Sequence, residues 1–150
     1  MNYEVTINDV EAMRVAYTRY KGDVLKANTV FPSVFKSIRG KTNGAPFFNI
    51  IQMNPETKIG EIELCVPTLE TPSQSGIEVK ELPHVKAVSV THVGPYEQMD
   101  EAYRAITRYA NDHKLELVPP FREVYIKGPG LVLKGNPKNY ITEIIFPIKE

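Results

Sequence analysis

The sequence predicts an α+β fold made of two tandem β-α-β-β units, because three segments of the first half recur in the same order in the second half. VAYTRYKG (15–22) matches VSVTHVGP (88–95), PFFNIIQMNP (46–55) matches PFREVYIKGP (120–129), and ELCVP (63–67) matches EIIFP (143–147). Several segments that recur in one order indicate a duplicated unit. We therefore expect one domain over residues 1–150, with repeat halves of about 1–70 and 76–150 related by a pseudo-twofold axis.

Each repeat has the same predicted order of elements. A strand with alternating side chains comes first, then a helix, then two strands joined by a turn that contains Pro or Gly. An additional strand precedes each unit, around YEVTI (3–7) and IEVKEL (77–82). The segment TLETPSQSG (68–76) is the expected linker between the halves.

The second helix has the clearest pattern of the predicted elements. Pro95 suits its first turn, and Glu97 and Asp100 favour the positive end of the helix dipole. The residues expected on its buried face recur at three- and four-residue steps: Tyr96, Met99, Ala102, Tyr103, Ile106, Tyr109 and Ala110. Tyr103 and Tyr109 are accordingly interpreted as packing residues.

The first helix is predicted within DVLKANTVFPSVFKSI (23–38), where Pro32 indicates a fresh start and Thr29 is the expected cap. Its expected buried face consists of Leu25, Phe31, Val34, Phe35 and Ile38.

Composition excludes several classes of function. The 18 basic and 18 acidic residues balance, and no stretch is rich in Lys or Arg, so direct DNA binding is not expected. The N-terminus lacks the features of a signal peptide, and no apolar run approaches the ~18 residues that cross a bilayer. With Cys65 as the single cysteine, no internal disulfide can form, and a cytoplasmic protein without membrane contact is expected.

The strand PFREVYIKGP raises a specific question, because its alternation puts Glu123 between Phe121 and Tyr125 on one face. A carboxylate in a sheet core costs several kcal/mol unless it is paired. We expect Val124 and Ile126 to face the helices, which leaves Glu123 in a cleft shared by the two repeats. The first repeat offers Phe47, Asn49 and Ile51 at the matching positions, so the acid occurs on one side only.

Three blocks resemble the GyrI-like proteins, also known as the effector-binding domain of multidrug-responsive transcription regulators. The blocks are HVGPYEQMDEAYRAI, PFREVYIKGP and YITEIIFPI, and the resemblance extends over essentially the whole chain. It implies a concave antiparallel sheet with two helices packed on one side. It also implies that bulky, often cationic aromatic compounds bind around Glu123, with Tyr125 beside it, Tyr96 at the helix start and Glu143 as a second acid.

The resulting hypothesis is a stand-alone domain that binds a hydrophobic or cationic small molecule between its repeats. Its predicted ligand-binding residues are Glu123, Tyr125, Tyr96, Phe121, Asn49 and Glu143. Pairing of Glu123 with a Lys or Arg of a neighbouring strand is the structural alternative, and a cross-strand ion pair is equally compatible with Glu143. No cofactor is expected.

Two alternative functions follow from the same resemblance. Some stand-alone GyrI-like proteins are hydrolases that open cyclopropane rings of DNA-alkylating natural products. In that case Glu123 would act as general base and Tyr125 would orient the electrophile. The family's namesake instead inhibits a topoisomerase through a protein surface that the sequence does not locate.

Metal binding is not expected, because the three histidines His84, His92 and His113 fall on separate elements. His92 alternates with Val90 and is interpreted as a packed strand residue.

Overall fold

The computed structural model describes residues 3–128 and 135–150, which form two compact units. The central unit is Glu11–His84, and the terminal unit combines Met1–Val10 with Val85–Glu150. Each unit contains four antiparallel strands and one α-helix, so the predicted α+β class is confirmed. Pro129, the last residue of the second matched strand, lies outside the described residues.

The central unit has the strand order β5-β2-β4-β3. Its elements are β2 (Met13–Asp23), a 3₁₀ helix (Val24–Val30), α1 (Phe31–Ser37), β3 (Phe47–Met53), β4 (Ile59–Pro67) and β5 (Glu78–Leu82). Phe31 of α1 stacks on Phe48 of β3 with ring centroids 5.5 Å apart, so the Phe48 side of the sheet carries the helix. The alternating side chains Phe47 and Asn49 therefore lie on the opposite face.

The terminal unit has the equivalent strand order β1-β6-β8-β7. Its elements are β1 (Thr6–Val10), β6 (Val85–Val93), a 3₁₀ turn (Tyr96–Gln98), α2 (Met99–Asp112), β7 (Phe121–Lys127), a second 3₁₀ turn (Pro137–Asn139) and β8 (Ile141–Pro147). Its core joins the helix to the two inner strands through Val88, Val90, Met99, Ala102, Ile106 and Ile144.

The helices agree with the sequence pattern to different degrees. In α2 the buried residues Met99, Ala102, Ile106 and Ala110 all belong to the predicted face, which is confirmed. The first helical segment is split at the predicted point, because α1 begins at Phe31 with Pro32 in its first turn. Thr29 is not its cap, since its hydroxyl donates to the Lys26 carbonyl, and Leu25 is exposed instead of buried.

The two additional strands are exchanged between the repeats. β1 pairs antiparallel with β6 of the second half, and β5 pairs antiparallel with β2 of the first half. The compact units therefore do not coincide with the sequence repeats 1–70 and 76–150. The matched segments could not reveal this exchange, because the exchanged strands lie outside all three of them.

Neither helix of residues 3–128 and 135–150 is long and apolar enough to span a bilayer.

Candidate functional site

Glu123 lies on the face of β7 that carries α2, and not on the face away from the helix where the sequence analysis expected it. It is paired with Ile144 of β8, which is paired with Val90 of β6, and both apolar residues belong to the core beneath α2. Directly opposed side chains share one face of an antiparallel sheet. The expectation that Val124 and Ile126 face the helix is therefore wrong: Val124 is paired with Glu143 on the other face, and Ile126 is exposed.

Two tyrosine hydroxyls converge on the Glu123 carboxylate. Tyr125, two residues along the same strand, donates to Oε1 at 2.9 Å. Tyr103 of α2 donates to Oε2. Hydrogen bonds to a charged acceptor are stronger than neutral ones and fix the acceptor in place. The carboxylate is thus held from the strand and from the helix at the same time.

Two further aromatic residues, Tyr96 and Phe121, pack against the two tyrosines that hold Glu123. We call these five residues the Glu123 cluster (Glu123, Tyr103, Tyr125, Tyr96 and Phe121). The Tyr96 ring meets the Tyr125 ring edge-on at 5.7 Å between centroids, and Phe121 meets Tyr103 in the same way at 5.7 Å. Phe146 and Tyr140 extend the cluster, because the first stacks on Phe121 at 4.5 Å and the second contacts Tyr96 at 5.2 Å. The two tyrosines that hold the acid are therefore themselves packed among aromatic rings, and Glu123 is half-buried.

Burial and the nearby carboxylate keep the phenols of the cluster neutral. Desolvation raises the pKa of Tyr96 to about 12, and electrostatic interactions with Tyr140 and with the Glu123 carboxylate add to the effect. Desolvation and the Glu123 charge likewise raise the pKa of Tyr103 and that of Tyr125 well above the usual value. All three hydroxyls therefore remain protonated and can act as hydrogen-bond donors at physiological pH.

The turn before α2 positions Tyr96. His92 is fully buried, and its Nε2 lies 2.9 Å from the Pro95 carbonyl, which can only accept, so this nitrogen donates. In the neutral ring Nδ1 then accepts from the Tyr3 hydroxyl at 2.9 Å. His92 is thus a packed strand residue that fixes the turn. Gly128 leaves space for the Tyr96 hydroxyl, because a Cβ at position 128 would lie 2.8 Å from it.

Asn49 is not the structural counterpart of Glu123. In the central unit Phe48 is paired with Leu64, whereas Glu123 is paired with Ile144, the residue matched to Leu64 by the repeat. Phe48 is therefore the structural equivalent of Glu123. It lies one residue before Asn49, which the alignment of the two Pro-Phe segments had matched to Glu123. Asn49 instead donates through Nδ2 to Glu63 Oε1 at 3.0 Å within the central unit.

Glu143 lies on the face of the terminal sheet opposite to Glu123. It is paired with Val124 on one side and with Thr91 on the other. The residue is half-buried, and desolvation raises the pKa of its carboxyl group. The structure therefore brings Tyr125, Tyr96 and Phe121 together around Glu123, and it places Glu143 outside this cluster.

Tyr103 is the site residue that the sequence interpretation missed. Its place on the buried face of the helix indicated packing, but its hydroxyl end reaches the acid. The helical period does not relate Tyr103 to Tyr96, because Tyr96 lies in the 3₁₀ turn before α2, so no spacing in the sequence identified this contact.

A separate groove of about 570 Å³ shares none of its lining residues with the Glu123 cluster. It lies between the N-terminal segment and α2 and is lined by Tyr3, Val5, Glu101, Arg104, Ala105, Arg108, Tyr109 and Asp112. In the part of the chain that the structure describes, no three His, Cys, Asp or Glu side chains converge as a metal site requires.

Comparison with known proteins gives one family and a consistent fold. The model of the GyrI-like small molecule binding domain family matches residues 3–149. The C-terminal domain of EcmrR is similar, with 24% identity and a TM-score of 0.85 over 100% of this chain and 99% of that chain. In an EcmrR–DNA complex, which matches with 21% identity and a TM-score of 0.85, 99% of this chain aligns with 58% of the EcmrR chain.

Two more distant structures share the fold. A hydrolase from Listeria innocua has 15% identity and a TM-score of 0.69, with 97% of this chain and 92% of that chain covered. SAV2435 bound to tetraphenylphosphonium has 16% identity and a TM-score of 0.59, with 99% and 94% covered. A search of curated proteins found no match.

Proposed function

Because the chain belongs to the GyrI-like small molecule binding domain family, we propose that it binds a bulky hydrophobic cation with Glu123 as the counter-charge. The observation that carries this proposal is the Glu123 cluster, in which one carboxylate is fixed by two tyrosine hydroxyls whose rings pack against further aromatic residues. SAV2435, which shares the fold, was solved with tetraphenylphosphonium, a ligand of this chemical class.

The chemistry of the cluster favours a delocalised cation over a hydrogen-bonding one. Each aromatic face attracts a cation by roughly 0.5–2 kcal/mol, and a delocalised charge desolvates at low cost. Such a ligand has no N–H donors, so it does not need the carboxylate lone pairs that Tyr103 and Tyr125 already use. Charge and ring contacts can therefore act while at least the hydrogen bond from Tyr125 still holds the acid.

Access to the carboxylate depends on Tyr103. Its side chain extends from α2 to Glu123 and its ring lies against Phe121. A ligand that approaches Glu123 from the helix side must therefore displace Tyr103. Tyr125 lies on the same strand as the acid and can hold it while the helix side opens.

Titration with tetraphenylphosphonium tests the proposal, with tetraphenylborate as a probe of matched shape and opposite charge. We expect wild-type protein to bind the phosphonium more tightly than the borate. Glu123→Gln should weaken phosphonium binding by about tenfold, a loss of about 1.4 kcal/mol, and narrow the difference between the probes. Glu81→Gln removes the same charge from an exposed position and should leave both affinities unchanged. Equal phosphonium binding by wild type and Glu123→Gln would refute charge recognition.

A second candidate function is hydrolysis of cyclopropane rings in DNA-alkylating compounds. It is favoured by the direct hydrogen bond between a helix tyrosine and a strand glutamate, and by the fold shared with a hydrolase from Listeria innocua. Glu123 would accept a proton from water while the water oxygen bonds to a ring carbon and the strained C–C bond of the ring breaks. The electron pair of that bond would pass to the ring-opened compound, which would take up the proton from Glu123. The hydroxyl of Tyr125 or Tyr103 would orient the electrophile. Product in excess of protein, lost in Glu123→Gln, would establish catalysis. Protection of one ligand per chain without product would establish binding alone.

A further inference from the structure

A buried carboxylate paired with a lysine ammonium group lies in the central unit, at Glu63 of β4. The residue is only 1% exposed. Lys80 Nζ donates to both of its carboxylate oxygens at 2.6 Å. The same nitrogen lies 4.4 Å from the centroid of the Tyr17 ring. One ammonium group thus contacts a carboxylate and an aromatic face together, which is a combination that recognises ligand cations.

Two neighbouring strands contact this carboxylate in addition to Lys80. Asn49 of β3 is paired with Glu63 and donates to its Oε1 at 3.0 Å. Arg19 of β2 is paired with Glu63 from the other side, and its guanidinium lies 3.8 Å from Oε2. Lys80 comes from a different strand, β5, and its side chain keeps 32% of its surface exposed. The Glu63 carboxylate is therefore preorganised, and the Lys80 ammonium group reaches it on a partly exposed side chain.

We propose that Glu63, Asn49 and Tyr17 form a binding site for a primary ammonium group and that the chain's own Lys80 occupies it. The site differs in chemistry from the Glu123 cluster. Contacts of 2.6 Å to two oxygens require N–H donors, which a primary ammonium supplies and a bulky delocalised cation lacks. A free amine is kept out of the central unit as long as Lys80 fills the site.

Chemical rescue tests whether the Glu63 carboxylate accepts a free primary ammonium group in place of Lys80. Lys80→Ala removes three methylene groups and the ammonium, and n-propylammonium supplies the same atoms without the tether. Removal of Lys80 leaves Glu63 buried without its closest cation, so the Tm of the variant should fall by about 5–10 °C. We expect n-propylammonium at about ten times its Kd to restore about 3–5 °C of this loss. The wild type should show no comparable gain.

Matched variants and additives make the result specific. Lys80→Met fills the path of the side chain with apolar atoms, and Lys21→Ala truncates an exposed lysine of the same unit, so neither should be rescued. Rescue should also be lost in Lys80→Ala with Glu63→Gln, and 1-propanol or sodium chloride should not replace the amine. The proposal is overturned if n-propylammonium fails to raise the Tm of Lys80→Ala, or raises that of the double variant equally.

The test also covers a variant that does not fold by itself. If Lys80→Ala is unfolded in buffer, n-propylammonium should restore the far-ultraviolet circular dichroism of the wild type, and absence of any recovery would reject the proposal. The readout is stability in the presence of a short amine. It is therefore independent of whether Glu123 binds tetraphenylphosphonium, and the two proposals can fail separately.

Discussion

The hydrogen bond from Tyr125 to Glu123 should be measurable as a coupling energy in a double-mutant cycle. Tyr125→Phe removes only the hydroxyl, and Glu123→Met removes the acceptor at similar volume. A hydrogen bond to a charged group contributes about 1.5–3 kcal/mol. Because the 2.9 Å contact lies at a half-buried position, we expect the lower end of this range, a coupling of about 1.5 kcal/mol. The corresponding fall in Tm for Tyr125→Phe is about 3–6 °C.

Urea denaturation of the wild type, both single variants and the double variant gives this coupling energy. Tyr109→Phe is the matched control, because Tyr109 also packs against the terminal core, yet its hydroxyl has no hydrogen-bond partner among the described residues. Its free energy of unfolding should change by no more than about 0.5 kcal/mol. A coupling within error of zero would show that Tyr125 does not hold the carboxylate and would remove one support of the proposed cation site.

Three further outcomes are expected. Gly128→Ala should cost about 1–2 kcal/mol of stability, because its Cβ would lie 2.8 Å from the Tyr96 hydroxyl, and Tyr96→Phe in the same chain should recover most of the loss in urea denaturation. Glu143→Gln should raise the Tm at neutral pH and lose that effect below pH 4.5. Because the pKa of Glu143 is raised, the native state binds more protons than the unfolded state, so the stability of the wild type falls as the pH rises above 4.5. Glu123→Gln should lower the pKa of Tyr96 from about 12 in an ultraviolet absorbance titration, and an unchanged value would exclude the Glu123 charge as a cause.

The spacing of apolar residues in the sequence predicted the buried face of the helix and the grouping of side chains along the strand. The spacing of Met99, Ala102, Ile106 and Ala110 identified the buried face of α2, since a helix repeats every 3.6 residues whatever it packs against. The alternation in β7 likewise grouped Glu123 with its aromatic neighbours. Which face carries the helix cannot be read from alternation, because the same period describes both sides of a sheet.

The helical and strand periods of the sequence could not predict the strand register or the cross-strand partners. The Pro-Phe segments align with a spacing that makes Asn49 equivalent to Glu123, but pairing with β4 and β8 makes Phe48 its equivalent. A shift by one residue moves every side chain to the other face. The contact between Glu63 and Lys80 joins residues 17 positions apart on strands that are not paired with each other. No sequence period records such a contact.

The exchange of β1 and β5 has a consequence for the order in which the chain can fold. The central unit is one continuous stretch, Glu11–His84, and can form its β5-β2, β2-β4 and β4-β3 pairs without residues outside it. β1 is made early in synthesis, but its partner β6 begins at Val85, so its ladder waits until the whole central stretch has been made. Closing that loop has an entropic cost that folding of the central unit reduces, since a folded insert brings its two ends to fixed positions. We therefore expect the β1–β6 ladder to gain protection from hydrogen exchange later than the ladders of the central unit during refolding.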